Sequence, residues 1–330
     1  MAIRYIQNKD IDYKLWDSCI NHSLNGLIYA NSWFLDVVAE QWDALVEDDY
    51  LSVMPLVYRR RLFFDELYTP FLAKQLGVFS VTPVKAEKIK EFLEHIPGSF
   101  KKIHLCLNRH NTQSLKNKKD TCKSCFEIDL IAPYEKKKKS YSDSALKHIS
   151  TAIEKKLTLI RHTSLYDLEN FLLKNLRVAR KARLITSLRQ ILSRLVGLGK
   201  AEIIGAYGPE NELCSVACFV KSTTNVILLF AHTAKQGDLF KANYLIIDTF
   251  LKNYSSHNVT ISLDYIDKSW NAGLYKEFKA LESHYCCISK NRLPFFVRWF
   301  FILVIVWLIA IFCLTGVSLF YYPYILSKVF

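Results

Sequence analysis

The alternation of hydrophobic and polar positions is most informative between residues 225 and 253. Residues 226–231 are a short apolar run of β-forming side chains, which predicts a buried strand. Residues 232–238 are polar and include Gly237. After them the apolar spacing becomes that of a helix, with one face made of Leu239, Ala242, Ile246 and Phe250. The stretch therefore predicts a strand, a short polar turn and an amphipathic helix that begins at Leu239.

A strand–turn–helix unit directs several backbone N–H groups at one point, and the helix dipole adds partial positive charge there. The turn is thus a candidate anion site of the kind that binds phosphates. Its candidate binding residues are Lys235, Gln236, Gly237, Asp238, Lys241 and Ala242. The alternative is an ordinary crossover connection that binds nothing, because one glycine is less than a defined phosphate-binding fingerprint.

The rest of the pattern predicts an α/β protein in two halves. Strand-like and helix-like segments alternate in the first half, where residues 108–120 predict a polar surface loop. From residue 133 the order is helices, three consecutive strands, the amphipathic helix, and a last strand–helix–strand series. We therefore predict an N-terminal half at residues 1–132 and a C-terminal half, with the anion site, at residues 133–294.

The C-terminal segment predicts a membrane anchor over residues 295–330. Residues 299–327 contain no charge, and residues 299–320 alone would span about 33 Å as a helix. Basic residues precede this run and tyrosines follow it: Lys290, Arg292 and Arg298, then Tyr321, Tyr322 and Tyr324. This arrangement predicts a protein of the cytoplasmic membrane whose preceding residues lie in the cytoplasm. The alternative is a buried core helix.

Composition narrows the function classes without choosing one. The 330-residue chain is 51% hydrophobic, which excludes global disorder. Its formal net charge of +13 favours acidic partners. Its nine cysteines show no disulfide framework, as is typical of a reducing compartment. Cys122 and Cys125 form a single CxxC without a second pair, so we predict no metal site. No Ser-His-Asp order or Walker motif indicates hydrolysis.

The second half contains three successive runs, LLFAHTA, KQGDLFKA and NYLIIDTF. They resemble the strand, the Gln-x-x-Gly-x-Gly/Ala pyrophosphate turn and the helix of the acyl-CoA N-acyltransferase fold called GNAT. Here Gln236 adjoins Gly237, and Lys241-Ala242 replaces the second glycine. The later run LDYIDKSWNAGLYKEFKALESHY resembles the segment before the family's last strand, with Lys279 where glycine is usual. The resemblance implies acyl-CoA as a co-substrate bound at the turn.

The first half contains two further informative runs, YANSWFLDVVAEQWDALVEDDYLSVMPLVYRRR and FLAKQLGVFS. With the second half they resemble the tandem arrangement of bacterial proteins related to the Fem aminoacyltransferases, and the resemblance covers nearly all of residues 1–294. It implies two tandem GNAT-like mixed-sheet halves, followed here by the transmembrane helix. The relatives' Leu-Asp-Phe-Glu-Gly-Ser run is replaced by Leu263-Asp264-Tyr265-Ile266-Asp267-Lys268, a departure that leaves a changed or lost activity open.

Acyl transfer to an amine needs a neutral amine, a polarised carbonyl and a proton for the leaving group. Tyr275 matches the family's late tyrosine, and the resemblance implies it as the general acid; alternatively it is an aromatic side chain packed on a helix. Asp264, Asp267 and His232 lie at predicted strand ends and are candidate bases. The alternative for each of them is a non-catalytic residue that lies on the surface or forms a structural hydrogen bond.

Three functions are consistent with these patterns. The first is a membrane-anchored N-acyltransferase that moves an acyl group from acyl-CoA to an amine on a cell-envelope or lipid-linked precursor. The second is a Fem-like aminoacyltransferase that uses aminoacyl-tRNA; it is less favoured because no RNA-binding motif accompanies the basic segments and the helical hairpin of some Fem enzymes is missing. The third is a non-catalytic tandem-GNAT protein that binds a partner at the membrane.

Overall fold

The computed structural model describes residues 2–61, 64–115, 121–176, 181–222, 225–264 and 267–294. Within these ranges, no helix has both the length and the apolar character that crossing a bilayer requires. The predicted membrane anchor at residues 295–330 lies outside the described residues.

The chain divides into two compact units. Of the described residues, those up to 122 and those at 285–294 form unit 1, and those between 123 and 284 form unit 2. These limits differ from the predicted boundary at residue 132, because the strand Thr121–Asp129 pairs with a strand of unit 2. They also differ near the predicted end at residue 294, because residues 287–291 pair with a strand of unit 1.

Unit 1 begins with a strand and two helices, continues as an antiparallel meander, and returns through a helix to a further strand. Its strands are β1 (Ile3–Ile6), β2 (Gln41–Glu47), β3 (Ser52–Arg60), β4 (Asp65–Tyr68), β5 (Phe79–Ser80) and β6 (Phe100–Cys106). Its helices are α1 (Tyr13–His22), α2 (Ser32–Val38), α3 (Ala86–Glu94) and α4 (Arg109–Leu115). Short 3-10 turns occur at Asn8–Asp10 and Ile28–Ala30.

The remaining elements belong wholly or mainly to unit 2, except the last strand, of which residues 285–291 lie in unit 1. The strands are β7 (Thr121–Asp129), β8 (Thr158–Ile160), β9 (Ala201–Tyr207), β10 (Leu213–Lys221), β11 (Asn225–Thr233), β12 (Thr260–Ser262) and β13 (Leu281–Asn291). The helices are α5 (Tyr134–Ser140), α6 (Asp143–Glu154), α7 (Leu165–Asn175), α8 (Lys181–Gly197), α9 (Lys235–Leu239), α10 (Ala242–Tyr254) and α11 (Ala272–Glu277).

The two units repeat one strand topology. In unit 1, β1 to β4 pair antiparallel in chain order, β4 pairs parallel with β6, and β6 pairs antiparallel with the end of β13. In unit 2, β8 to β11 pair antiparallel in chain order, β11 pairs parallel with β12, and β12 pairs antiparallel with β7. In each unit a helical connection joins the two parallel strands, as parallel pairing requires. The predicted mixed α/β class is confirmed.

Each crossover helix packs an apolar face into the core of its own unit. In α3 the buried residues Ile89, Phe92 and Leu93 recur at helical spacing and join the core of unit 1. In α10 Phe250 is fully buried, and its ring stacks on Phe219 of β10 with 4.0 Å between centroids. Burying one such side chain stabilises the fold by about 1.5–3 kcal/mol.

The prediction of a surface loop at residues 108–120 is wrong for its first part, because Arg109–Leu115 form the helix α4. The polar residues there are misleading, because Asn108 and Asn111 are buried. Asn111 Oδ1 accepts a hydrogen bond from the backbone N–H of Val78 at 2.8 Å, and its Nδ2 donates to the Val78 carbonyl at 3.1 Å. These bonds hold the chain beside Gly77, whose φ of +106° favours glycine. The polar side chains therefore satisfy buried backbone groups.

The described part of the chain contains two disulfides, although the spacing of the cysteines along the sequence had indicated no disulfide framework. Cys106 is bonded to Cys287 and Cys122 to Cys286, across separations of 181 and 164 residues. The two cysteines of the CxxC are not bonded to each other: Cys122 is bonded to Cys286, whereas the Cys125 thiol lies 3.0 Å from the Ser283 hydroxyl. Separations this long explain why spacing along the chain gave no signal.

Candidate functional site

The candidate site in unit 2 begins where β11 and β12 part. These strands pair in parallel only between Asn225–Ile227 and Thr260–Ser262, whereas β11 continues to Thr233 alongside β10. A register shift between Cys218 and Phe219 of β10 marks a β-bulge in this antiparallel pair. Along its β12 side, the second half of β11 therefore has no strand partner among the described residues.

The turn after β11 is a short helix. Lys235 to Leu239 form α9, and Lys241, with a left-handed φ of 58°, separates α9 from α10. The predicted helix start at Leu239 is wrong, because Leu239 ends α9 with 74% of its surface exposed. The helix that follows begins at Ala242, which is fully buried.

Gly237 allows the short helix α9 to pack closely against the sheet of unit 2. A Cβ at this position would lie 2.4 Å from the Cys214 carbonyl oxygen of β10 and 2.8 Å from Thr233 Cγ2. Its missing side chain therefore lets α9 approach the sheet closely. Of the other predicted turn residues, Lys235 and Gln236 are exposed, and Asp238 and Lys241 are half-buried.

Two of the predicted bases come together at the carboxyl end of β11. His232 Nδ1 lies 3.5 Å from Asp267 Oδ2. Asp267 also accepts hydrogen bonds from the backbone N–H groups of Ser269 and Trp270, each at 2.8 Å, so it holds the turn that it begins. Trp270 is fully buried, and its indole N–H donates to Thr233 Oγ1 at 2.9 Å. This pair of predicted bases is thus part of a packed turn.

The same turn contacts the first residues of α10. The Asn243 amide Nδ2 donates to the carbonyl oxygen of Ser269 at 2.6 Å, and Asn243 is 5% exposed. The hydrogen bond between Asn243 and Ser269 therefore occupies part of the start of α10, where the sequence predicted a phosphate-binding site.

Asp264 and Tyr275 are both buried. Asp264 is 6% exposed and follows β12. Tyr275 is 0% exposed on α11, and its ring lies 5.5 Å from that of Phe126 on β7. The Tyr275 ring is therefore packed against the sheet, in a position that does not open to solvent.

A polar cluster that the sequence did not single out lies at the start of α10. We call it the His148 cluster; it consists of His148 of α6, Lys241, Tyr244 of α10 and Glu277 of α11. Tyr244 donates its hydroxyl hydrogen to Glu277 Oε1 at 3.2 Å, and the rings of His148 and Tyr244 lie 4.4 Å apart. His148 Nδ1 lies 3.7 Å from Glu277 Oε2, and neither atom has a hydrogen-bond partner among the described residues. About a quarter of each of these two side chains is exposed, 25% and 26%, although His148 Nδ1 and Glu277 Oε2 are themselves buried.

The electrostatics of the cluster favour a neutral imidazole. Burial first, and then the charge of Lys241, lower the pKa of His148 below its ordinary value, although Glu277 acts in the opposite direction. Burial and the Glu277 carboxylate raise the pKa of Tyr244 well above that of a free tyrosine. At neutral pH the cluster thus offers an uncharged base beside a protonated phenol.

Sequence reasoning identified Lys241 but missed the other three members of the cluster. They lie on three helices that are far apart along the chain, and no spacing rule connects residues 148, 244 and 277. The one usable signal was Glu277, which lies two residues after Tyr275 in the segment that resembles the GNAT family.

Unit 1 contains a separate acidic cleft of about 590 Å³. Four carboxylates and three aromatic rings are among its lining residues: Asp36, Glu40, Asp43, Asp65, Tyr5, Trp42 and Tyr58. The cleft is acidic although the whole chain carries a net charge of +13. Asp43 is already satisfied within it, since it accepts hydrogen bonds from the Tyr5 hydroxyl and from the Asn8 backbone N–H.

The fold is similar to several solved structures, although no protein-family model and no curated protein matches the chain. FemX is 12% identical, with 88% of this chain and 98% of FemX covered at a TM-score of 0.58. L-PGS from Bacillus licheniformis is 9% identical, with 89% and 95% covered at 0.51. A conserved protein of unknown function from Bacteroides thetaiotaomicron is also 9% identical, with 84% and 96% covered at 0.51.

At these identities the likeness defines the fold, and it does so over nearly the full length of each compared chain. The chain has the Fem-related, GNAT-like fold that its sequence motifs resembled.

Proposed function

We propose that the protein is a transferase that moves an acyl group from an activated carrier to an amine. The observation that carries the proposal is the His148 cluster, which provides a base, a carboxylate and a phenol beside the start of α10. The Fem-related fold supports it, because the sequence resembles Fem aminoacyltransferases and GNAT acyltransferases, which share this chemistry.

In this proposal His148 is the general base. An amine attacks a carbonyl carbon only when its lone pair is free, so its extra proton must go to a base near neutral pH. The lowered pKa keeps His148 uncharged at pH 7. Its Nδ1 is buried 3.7 Å from Glu277 Oε2, so the nitrogen proposed to take the proton is Nε2. As the new C–N bond forms, the bond to the carrier breaks, and the proton passes by way of His148 to the departing carrier.

The donor is first proposed to be acyl-CoA, bound through Lys235, Gln236, Lys241 and the neighbouring backbone. A second candidate donor is aminoacyl-tRNA. It is favoured by two observations at the turn: Gly237 faces β10 instead of a ligand, and Asn243 donates to the Ser269 carbonyl at the start of α10. Both features reduce the space for a pyrophosphate at that point.

The acceptor is proposed to be an amine on a cell-envelope or lipid-linked precursor, met at the cytoplasmic face of the membrane. This proposal is supported by the uncharged run of residues 299–327 and by the basic residues before it. A membrane-bound enzyme meets a lipid-linked acceptor at the surface that holds both of them.

The test is transfer by the full chain in detergent, with acyl-CoA and aminoacyl-tRNA supplied as separate donors to a panel of amines. Release of thiol or loss of labelled aminoacyl ester reports the reaction. We expect His148→Gln to lower kcat/KM by about 10² to 10⁴. The matched control is His162→Gln, because His162 is an exposed histidine of the same unit. The wild type should lose activity as the pH falls through the pKa of His148, which burial and Lys241 lower below the ordinary histidine value, because His148 gains its proton there.

Two results would count against the proposal. If an active wild type and His148→Gln have the same kcat/KM and pH profile, His148 is not the base. If neither donor reacts with any amine while the chain is folded, the non-catalytic binding function is the better one.

A further inference from the structure

A second group of reactive side chains lies in unit 1. His104 and Cys106 are two residues apart on β6, so both point to one face of the sheet. Cys287 is the register partner of Cys106 on the antiparallel strand β13. One ligand atom from each of His104, Cys106 and Cys287 lies within 4.8 Å of the others.

The donor set and the burial of these residues match a transition-metal site. Two thiolates and one imidazole are ligands that Zn²⁺ prefers, and Zn²⁺ sites with three protein ligands keep a fourth position for water. Tetrahedral ligands with Zn–S bonds of about 2.3 Å hold their sulfur atoms roughly 3.8 Å apart. Cys106 and Cys287 are 1% and 2% exposed, whereas His104 is exposed, so an ion can enter from the histidine side.

We propose that His104, Cys106 and Cys287 form a Zn²⁺ site when the Cys106–Cys287 disulfide is reduced. A dithiol reductant supplies two electrons and two protons, the S–S bond breaks, and the reductant becomes a cyclic disulfide. Zn²⁺ then replaces the two thiol protons, which pass to solvent, and the neutral imidazole completes the protein ligands. The oxidised pair has no thiolate to give, so the disulfide and the metal exclude each other.

The second disulfide supplies a matched control. Cys286 precedes Cys287 on β13 and points to the opposite face, where it is bonded to Cys122. Among the described residues, His104, Cys106 and Cys287 form the one set of three or more His, Cys, Asp or Glu ligand atoms this close together. Cys122→Ser therefore changes a thiol outside the proposed site.

The experiment uses the full chain in detergent, purified without a histidine tag, reduced with dithiothreitol and freed of it under argon. Titration with Co²⁺ as a spectroscopic probe, followed by displacement with Zn²⁺, measures stoichiometry and thiolate ligation together. We expect one Co²⁺ per reduced chain with a sulfur-to-cobalt absorption band, and no such band after oxidation with diamide. Cys106→Ser should abolish the band, and His104→Ala should weaken binding by at least about tenfold. Cys122→Ser should bind as the wild type does.

If Cys106→Ser fails to fold because the residue is buried, the His104→Ala variant still tests the proposal. His104 is exposed, so His104→Ala should leave the circular dichroism spectrum unchanged. A reduced wild type that takes up no Co²⁺ with thiolate character would overturn the proposal. Equal affinity in wild type and His104→Ala would do the same.

Discussion

Gly237→Ala tests what the glycine of the turn does. The sequence interpretation assigned Gly237 to the approach of a donor phosphate, whereas the structure places it against β10. A methyl group there would lie 2.4 Å from the Cys214 carbonyl oxygen, well inside van der Waals contact. That oxygen is held in place because it accepts a hydrogen bond from the Ala234 N–H at 2.9 Å.

The magnitude follows from two opposing terms. Overpacking a dense core costs about 1–3 kcal/mol, and the upper end applies here because the clash is with fixed backbone. Alanine in place of glycine recovers up to about 1 kcal/mol of helix propensity in α9. We therefore expect Gly237→Ala to lower the free energy of unfolding by about 2 kcal/mol, a loss of roughly 4–8 °C in Tm for a unit of this size.

The assay is urea and thermal unfolding of the full chain, followed by circular dichroism. Gly197→Ala is the matched control, because Gly197 ends α8 and a Cβ there meets nothing within 4 Å. The control should be as stable as the wild type, or more stable by up to about 1 kcal/mol. If Gly237→Ala unfolds like the wild type and yet loses donor binding, the packing explanation is refuted and the glycine faces the ligand.

Three further predictions address the remaining sites. Tyr275→Phe should keep kcat/KM within a few fold, because the ring is fully buried; a loss of about 10² to 10⁴ would restore Tyr275 as the acid. Glu202→Gln should destabilise the fold at pH 7 by about 1–3 kcal/mol, because the buried carboxylate accepts hydrogen bonds from Arg161 and Tyr254. Although burial acts to raise it, these bonds and nearby cations lower the pKa of Glu202 in the folded protein. Its stabilisation is therefore complete above the unfolded pKa, near 4.3, and is lost as the pH falls through the folded pKa, so the wild type and the variant should converge in acid unfolding curves. The full chain should stay in the membrane pellet during alkaline carbonate extraction, and its release would contradict the anchor predicted at residues 295–330.

The sequence by itself determined most of the secondary structure and the α/β class. Local backbone geometry alone sets the spacing of hydrophobic residues in a strand or a helix. That spacing is visible in the strand-forming runs at β9, β10 and β11 and in the amphipathic residues of α3. The strand–turn–helix unit was recognisable for the same reason, although the break at Lys241 was not. A left-handed lysine gives no compositional signal of the kind that glycine gives.

Only the tertiary structure decided which side chains meet. His148, Tyr244 and Glu277 come from three helices, and Cys106 meets Cys287 across 181 residues because β13 pairs with β6. The burial of Asn111 and Tyr275 was equally hidden, because polarity and aromaticity do not show whether a side chain faces solvent or a backbone group. Contacts of this kind depend on strand pairing and helix packing, which bring together residues that are far apart along the chain. No local pattern of residues contains that information.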